Sequence, residues 1–208
     1  FADSATKEKT ASPHSHGGQA KPGKDPLTTG ATIYKHMCIF CHGEDGNGGG
    51  KATAYLYPWP RDFRKGVFKY HTTPVGTLPL DSDIFRTISR GIPGTSMPSW
   101  RTALSEDEIY AVIKYIKTFS RRFDEEKPKP PLEVGAPPAT TNIARGQQIF
   151  NEMQCERCHG TDLKGDGPVA GQLFDMWNHL AFIYDLTNPN AYKWGYEKKD
   201  IYLALTLG

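Results

Sequence analysis

Cys38-Ile39-Phe40-Cys41-His42 and Cys155-Glu156-Arg157-Cys158-His159 together hold every cysteine of a 208-residue chain. Both pentads read C-x-x-C-H, and they stand 117 positions apart. The same offset relates Asp45 to Asp162, Asp83 to Asp200 and Gly91 to Gly208. Between these anchors the register drifts, with Asp62-Phe63 answering Asp185-Leu186, so insertions and deletions belong to loops. Upstream, Gly30-x-x-Ile33-Tyr34 answers Gly146-x-x-Ile149-Phe150 with one residue added before the cysteine. Self-similarity on this scale predicts two copies of one structural unit.

Outward from the pentads, two stretches break the composition. Residues 1–27 are rich in Lys, Ser, Thr, Gly and Pro and carry almost nothing apolar. Such a segment cannot bury enough surface to offset ordering, which predicts a flexible tail, with His14 and His16 solvated on it. Residues 121–140 hold Pro128, Pro130, Pro131, Pro137 and Pro138 among mixed charges. Proline density favours extended backbone, so this stretch is expected to be a spacer between domains at 28–120 and 141–208.

Within the first unit, Ser105-Glu106-Asp107-Glu108 is a capping box. Ile109, Val112, Ile113 and Ile116 follow at i, i+3, i+4 and i+7, one apolar stripe of a helix. A shorter helix is expected from Ser82 to Ser89, capped by Asp81 or Ser82 and stopped by Gly91, and another from Thr29 to Cys41. No stretch alternates apolar and polar as a strand would. The fold expected is mainly α: two helical domains joined by a Pro-rich linker.

Lys and Arg number 25 against 23 Asp and Glu, so no strong field points to nucleic acid or anionic lipid. No apolar run approaches the roughly 20 residues that span a bilayer. The opening residue, Phe1, suggests an export signal already removed. The apolar fraction is only 38%, beside 21 Gly and 16 Pro, which predicts a chain that either carries much loop or wraps an apolar group the sequence does not count.

C-x-x-C-H is the attachment pattern of c-type haem. Two thiols three positions apart can add to the two vinyl groups on one porphyrin edge, and the adjacent histidine turns its imidazole under the iron. On this reading Cys38, Cys41, Cys155 and Cys158 attach two haem c groups, and His42 and His159 are proximal ligands. A zinc site would want its C-x-x-C pairs about 15 to 20 residues apart, and a thioredoxin-like dithiol would want a βαβ setting. The Gly-rich run Gly43–Gly50 before Lys51 fails the phosphate-loop pattern, with Asp45 in place of the first Gly and Ala52 in place of Ser or Thr. Trp59 and Arg61 are candidates to reach the haem propionates, and Trp100 reads as packing.

Gly91-Ile92-Pro93-Gly94-Thr95-Ser96-Met97-Pro98-Ser99-Trp100 places a methionine in a Pro/Gly-rich loop after a short helix. Here the chain resembles the class I cytochromes c, whose distal methionine sits in a G-x-x-G-T-x-M-P loop. The resemblance covers about residues 28 to 120 well and 141 to 208 partly, and the whole is similar to di-haem members with two fused cytochrome c domains. It implies Met97 as distal ligand of the first iron, with His71 the other candidate. Both axial positions are then filled, which raises the reduction potential and leaves no open site for substrate. The function implied is one-electron transfer, as a carrier or as a subunit of a larger respiratory or other oxidoreductase complex, with a redox protein as donor and another as acceptor. Covalent haem attachment takes place outside the cytoplasm, so a periplasmic or equivalent location is implied. The other function kept open is a di-haem enzyme of the peroxidase or sulfur-compound dehydrogenase type, with the second haem catalytic.

The second unit departs from the first. Gly208 answers Gly91, so a second methionine loop and a counterpart of the helix after Ser105 would fall beyond it. Four buried aliphatic side chains contribute roughly 6 to 12 kcal/mol at 1.5 to 3 each, comparable with a domain's whole net stability. The second domain is therefore expected to be truncated at the C-terminus, the distal ligand of its haem left open, with Met176 and His179 as alternatives within the chain.

Overall fold

The computed structural model describes residues 25–135, 140–175 and 178–207. His14, His16, Pro137, Pro138, Met176 and Gly208 lie outside these residues, as does most of the expected tail. Among the described residues there are helices and no strands, only one isolated bridge between Phe174 and Leu180.

α1, Pro26–Ile33, starts where Asp25 accepts the Thr28 N–H and proline occupies the first turn. It continues through a π turn, Tyr34–Cys38, into α2, Ile39–His42, which ends on Gly43 at φ 80°. The helix expected from Thr29 therefore begins three residues earlier and is not uniformly α. The wider π turn lies directly before the cysteine pair, a placement common for such turns at functional sites.

α3, Asp81–Arg90, is capped differently from expectation. Leu80, not Asp81 or Ser82, is the capping residue, and the Leu80 N–H donates to the Asp83 carboxylate at 2.9 Å. Asp83 is buried, and Thr72 Oγ1 donates to its other oxygen at 3.0 Å. The helix stops at Gly91, as expected, with φ 69°.

α4, Glu106–Lys117, carries the reciprocal cap at its start: the Glu108 N–H donates to Ser105 Oγ and the Ser105 N–H to Glu108 Oε2. Its predicted stripe is the heart of the core, with Ile109, Val112, Ile113 and Ile116 all at most 4% exposed. They pack with Tyr34, Phe63, Ile84, Ile88 and Leu104. Replacing Ser105 by alanine is expected to lower the stability of the loaded protein by about 1 kcal/mol, read by denaturant titration, with no change in its optical spectrum.

The start of the expected spacer belongs to the first domain instead. α5, Arg122–Glu125, follows Arg121, and Phe123 packs edge-on against Phe68. Arg122 donates to the Gly66 and Gly76 carbonyls and to Glu126. Even Leu132 returns its N–H to the Thr72 carbonyl at 2.7 Å. Local proline content set no limit here, because side-chain anchors on either side of it hold the strap down.

The second unit comprises α6, Ile143–Glu152, α7, Glu156–His159, and α8, Lys198–Leu207. α8 is the 117-residue counterpart of α3, end to end. The turn after each pentad repeats bond for bond. Gly48 N–H to His42 O is matched by Gly165 to His159, Gly50 to Cys41 by Gly167 to Cys158, and Ala52 to Phe40 by Val169 to Arg157. Even the left-handed position is kept, with Gly46 at φ 64° and Leu163 at φ 62°. The two units touch through α3 and α8, where Arg86 bonds Asp200 at 2.6 Å and also the Trp194 carbonyl. Tyr57 meets Phe182 edge-on, and Trp59 lies against His179 with centroids 4.1 Å apart.

Candidate functional site: a cavity over the first C-x-x-C-H

A cavity of about 960 Å³ opens beside the first pentad. Its lining divides by chemistry. One wall is apolar, with Phe68, Ile84, Ile88, Leu104, Val112 and Ile116. Cys38, Cys41, His42, His71 and Met97 all reach it. The other end carries Arg61, Lys69, Tyr70 and, from the second unit, Asp175, His179 and Lys193.

His42 is held in two directions. Its Nδ1 lies 3.1 Å from the Arg61 carbonyl, and its ring stacks on buried Phe63 with centroids 4.5 Å apart and planes 20° apart. Donation from Nδ1 leaves Nε2 as the nitrogen with a free lone pair, the state a metal-ligating histidine needs. Burial pushes the ring's pKa down to about 4, which keeps it neutral. The Phe63 N–H to Gly46 O bond, 2.7 Å, ties this stacking partner to the turn after the pentad.

No disulfide joins any of the four cysteines. Burial, then the neighbouring Cys41, pushes the Cys38 thiol up to about 12, and burial raises Cys41. A thiolate is disfavoured in this wall, which argues against a reactive dithiol. A thioether carries no charge and suits it.

Met97 sits on a loop made rigid by its own backbone. Met97 O accepts from Ile92 N–H at 3.0 Å, and Met97 N–H donates to Thr95 Oγ1 at 3.1 Å. Gly91 must be glycine here, because at φ 69° a side chain would run into the Pro98 backbone. His71 is buried 7% exposed, and its Nδ1 is engaged with Thr73 O at 2.9 Å and Thr73 Oγ1 at 3.0 Å. Trp59 and Arg61 line the polar end and Trp100 packs on the core.

Around the second pentad the arrangement is looser. Cys155, Cys158 and His159 are partly buried, and none of them lines the large cavity. Buried His159 Nδ1 has no partner at hydrogen-bond geometry. The repeat points to the Tyr184 carbonyl as its counterpart to Arg61, and that carbonyl offsets part of the burial that lowers the ring's pKa. His179 lies against Trp59 and 3.5 Å from Asp175, at the first cavity, not over the second pentad. Sequence reading missed Lys69, Tyr70, Asp175 and Lys193 at the cavity, because nothing local marks residues that meet only through the contact between units.

These residues fit haem. The apolar wall suits a porphyrin face, the neutral imidazole offers one nitrogen, and the cationic end suits carboxylates. The comparisons agree. Residues 25–116 match the family described as cytochrome C oxidase, cbb3-type, subunit III, and residues 143–204 match the cytochrome c family. A solved chain of the Kuenenia stuttgartiensis reducing HAO-like protein complex Kustc0457/Kustc0458 superposes with a TM-score of 0.82 at 38% identity, over 86% of this chain and 82% of that one. Two fused cytochrome c domains make this an electron-transfer protein carrying two covalently bound haem c groups. The chain belongs to the di-haem class I c-type cytochromes.

Proposed function

We propose that this chain is the electron-transfer subunit of a larger extracytoplasmic oxidoreductase complex, taking electrons one at a time from one redox protein and delivering them to another. Bound haem supplies an iron that changes oxidation state by one electron. Cys38 and Cys41 hold the first group by thioether bonds, and Cys155 and Cys158 hold the second. His42 and His159 present Nε2 as proximal ligands, and Met97 presents its thioether as distal ligand of the first iron. Phe63 and the Arg61 carbonyl fix the His42 plane, so little rearrangement accompanies electron gain or loss.

The observation that carries the reading is the hydrogen-bonded repeat after each pentad, which sets His42 and His159 in the same backbone frame. The place in a complex rests on the solved relative, whose printed title is that of a protein complex. The periplasmic location rests on where c-type attachment takes place. Among the described residues no helix is long and apolar enough to cross a membrane.

Denaturation in acidified acetone is expected to leave the red pigment on the polypeptide, two haems per chain by pyridine haemochrome. The Cys155→Ala/Cys158→Ala variant should keep one. Pigment that washes off the unaltered protein contradicts the reading.

A catalytic second haem has one observation in its favour. The second pentad lies outside the enclosed cavity, beside exposed Ile149 and Met153. A high-spin fraction that binds cyanide or peroxide would support it, whereas two low-spin centres would support the carrier.

A further inference from the structure

Lys193 belongs to the second domain, yet its side chain lines the cavity of the first. Its neighbours there are Lys69, which repels it, and Tyr184, over whose ring Lys193 Nζ lies 3.9 Å from the centroid. With Arg61 the cavity lining holds three cations and, beside Arg61 and Lys69, Asp175, whose carboxylate already receives the His179 backbone N–H at 2.9 Å. Cations crowded into a half-buried pocket are unfavourable unless an anion joins them. Two carboxylates would bring the cluster close to neutral.

Resting on the haem reading above, we propose that Lys193 is a positioning residue for the first haem: it reaches across from the second domain to pair with a propionate, beside Lys69 and Arg61. The first haem's potential is thereby coupled to the docking of the second domain. Cys38 and Cys41 line the same cavity as these cations, so a porphyrin attached through its vinyl edge would carry its acidic edge within their reach.

Burial, then Lys69, lowers the pKa of Lys193 to about 8, and burial lowers Lys69 too, although much of that side chain stays accessible. The docking that brings Lys193 in is held by Arg86, bonded to the carbonyl of the next residue, Trp194, and to Asp200.

The test is Lys193→Gln in the full di-haem protein, with both midpoint potentials read by spectroelectrochemistry after pyridine haemochrome has established two haems per chain. Loss of a cation favours the ferric state, so the first haem's reduction equilibrium should fall about tenfold, some 59 mV for one electron. The second haem's should move less. Lys193→Arg should restore the potential, and resonance Raman should show the propionate bending modes shifted in Lys193→Gln alone. Unmoved potentials in a folded variant, or a shift confined to the second haem, would overturn the proposal. If Lys193→Gln does not fold, the propionate modes of the unaltered protein decide: no signature of a hydrogen-bonded propionate overturns it. Fewer than two haems would instead contradict the function proposed above.

Discussion

Met97→Ala should abolish the methionine–iron absorption band of the first haem while leaving the haem attached. The loop is expected to survive, because the bonds that shape it run through the backbone of residue 97 and the Thr95 hydroxyl, not through the thioether. Met97 packs partly buried against the core, so the truncation itself costs stability at the low end of the 2–5 kcal/mol range for such changes, about 2 kcal/mol. The functional effect is larger. Removing a soft thioether from the sixth position lowers the potential within the roughly 0.8 V span that axial ligation covers. It also opens the iron, so cyanide or imidazole should now bind the first haem. Optical titration with imidazole reads the last point directly. If the unaltered protein lacks that band, and His71→Ala rather than Met97→Ala opens the iron to imidazole, the ligand is His71, which also borders the cavity.

The difference in legibility between Met97 and Lys193 has a physical cause. The pentads, the methionine loop and the stripe from Ile109 to Ile116 are local patterns, each set by spacing along the chain, and all three were readable before any coordinates. The 117-residue register also runs through α8, where Asp200 repeats Asp83. What the two aspartates do was not readable. Asp83 caps its own helix from a buried position, whereas Asp200 is turned outward to the Arg86 of the other unit. Equivalent residues take different partners wherever the two units meet, and no internal comparison can show that. The spacer was misjudged at its start for a related reason: Arg121–Glu126 looked like linker by charge, but Phe123 and Arg122 are bonded to a surface distant in sequence. Composition records what a segment could do alone, not what it docks on.

Gly30 and Gly146 repeat one another in sequence and should respond oppositely to substitution. At Gly30, α1 crosses α4 so closely that a Cβ would overlap the Ala111 carbonyl oxygen, and backbone cannot swing aside as a side chain does. Separating the helices would disturb Tyr34, which is 1% exposed, and its hydrogen bond to Gly43 O at 2.8 Å in the turn after the pentad. Gly30→Ala is therefore expected at the upper end of overpacking costs, about 3 kcal/mol, with weakened His42 ligation seen as a lower thermal midpoint for loss of the low-spin spectrum. At Gly146 nothing lies within 4 Å, and neighbouring Ile149 and Met153 are exposed. Alanine there adds helix propensity without a clash and should stabilise by up to about 1 kcal/mol. Measured side by side, the pair reports whether the apolar face of α6 is bare in solution. A Gly146→Ala variant as damaging as Gly30→Ala would mean that a helix covers α6 as α4 covers α1, and that the second haem sits in a closed domain, not an open one.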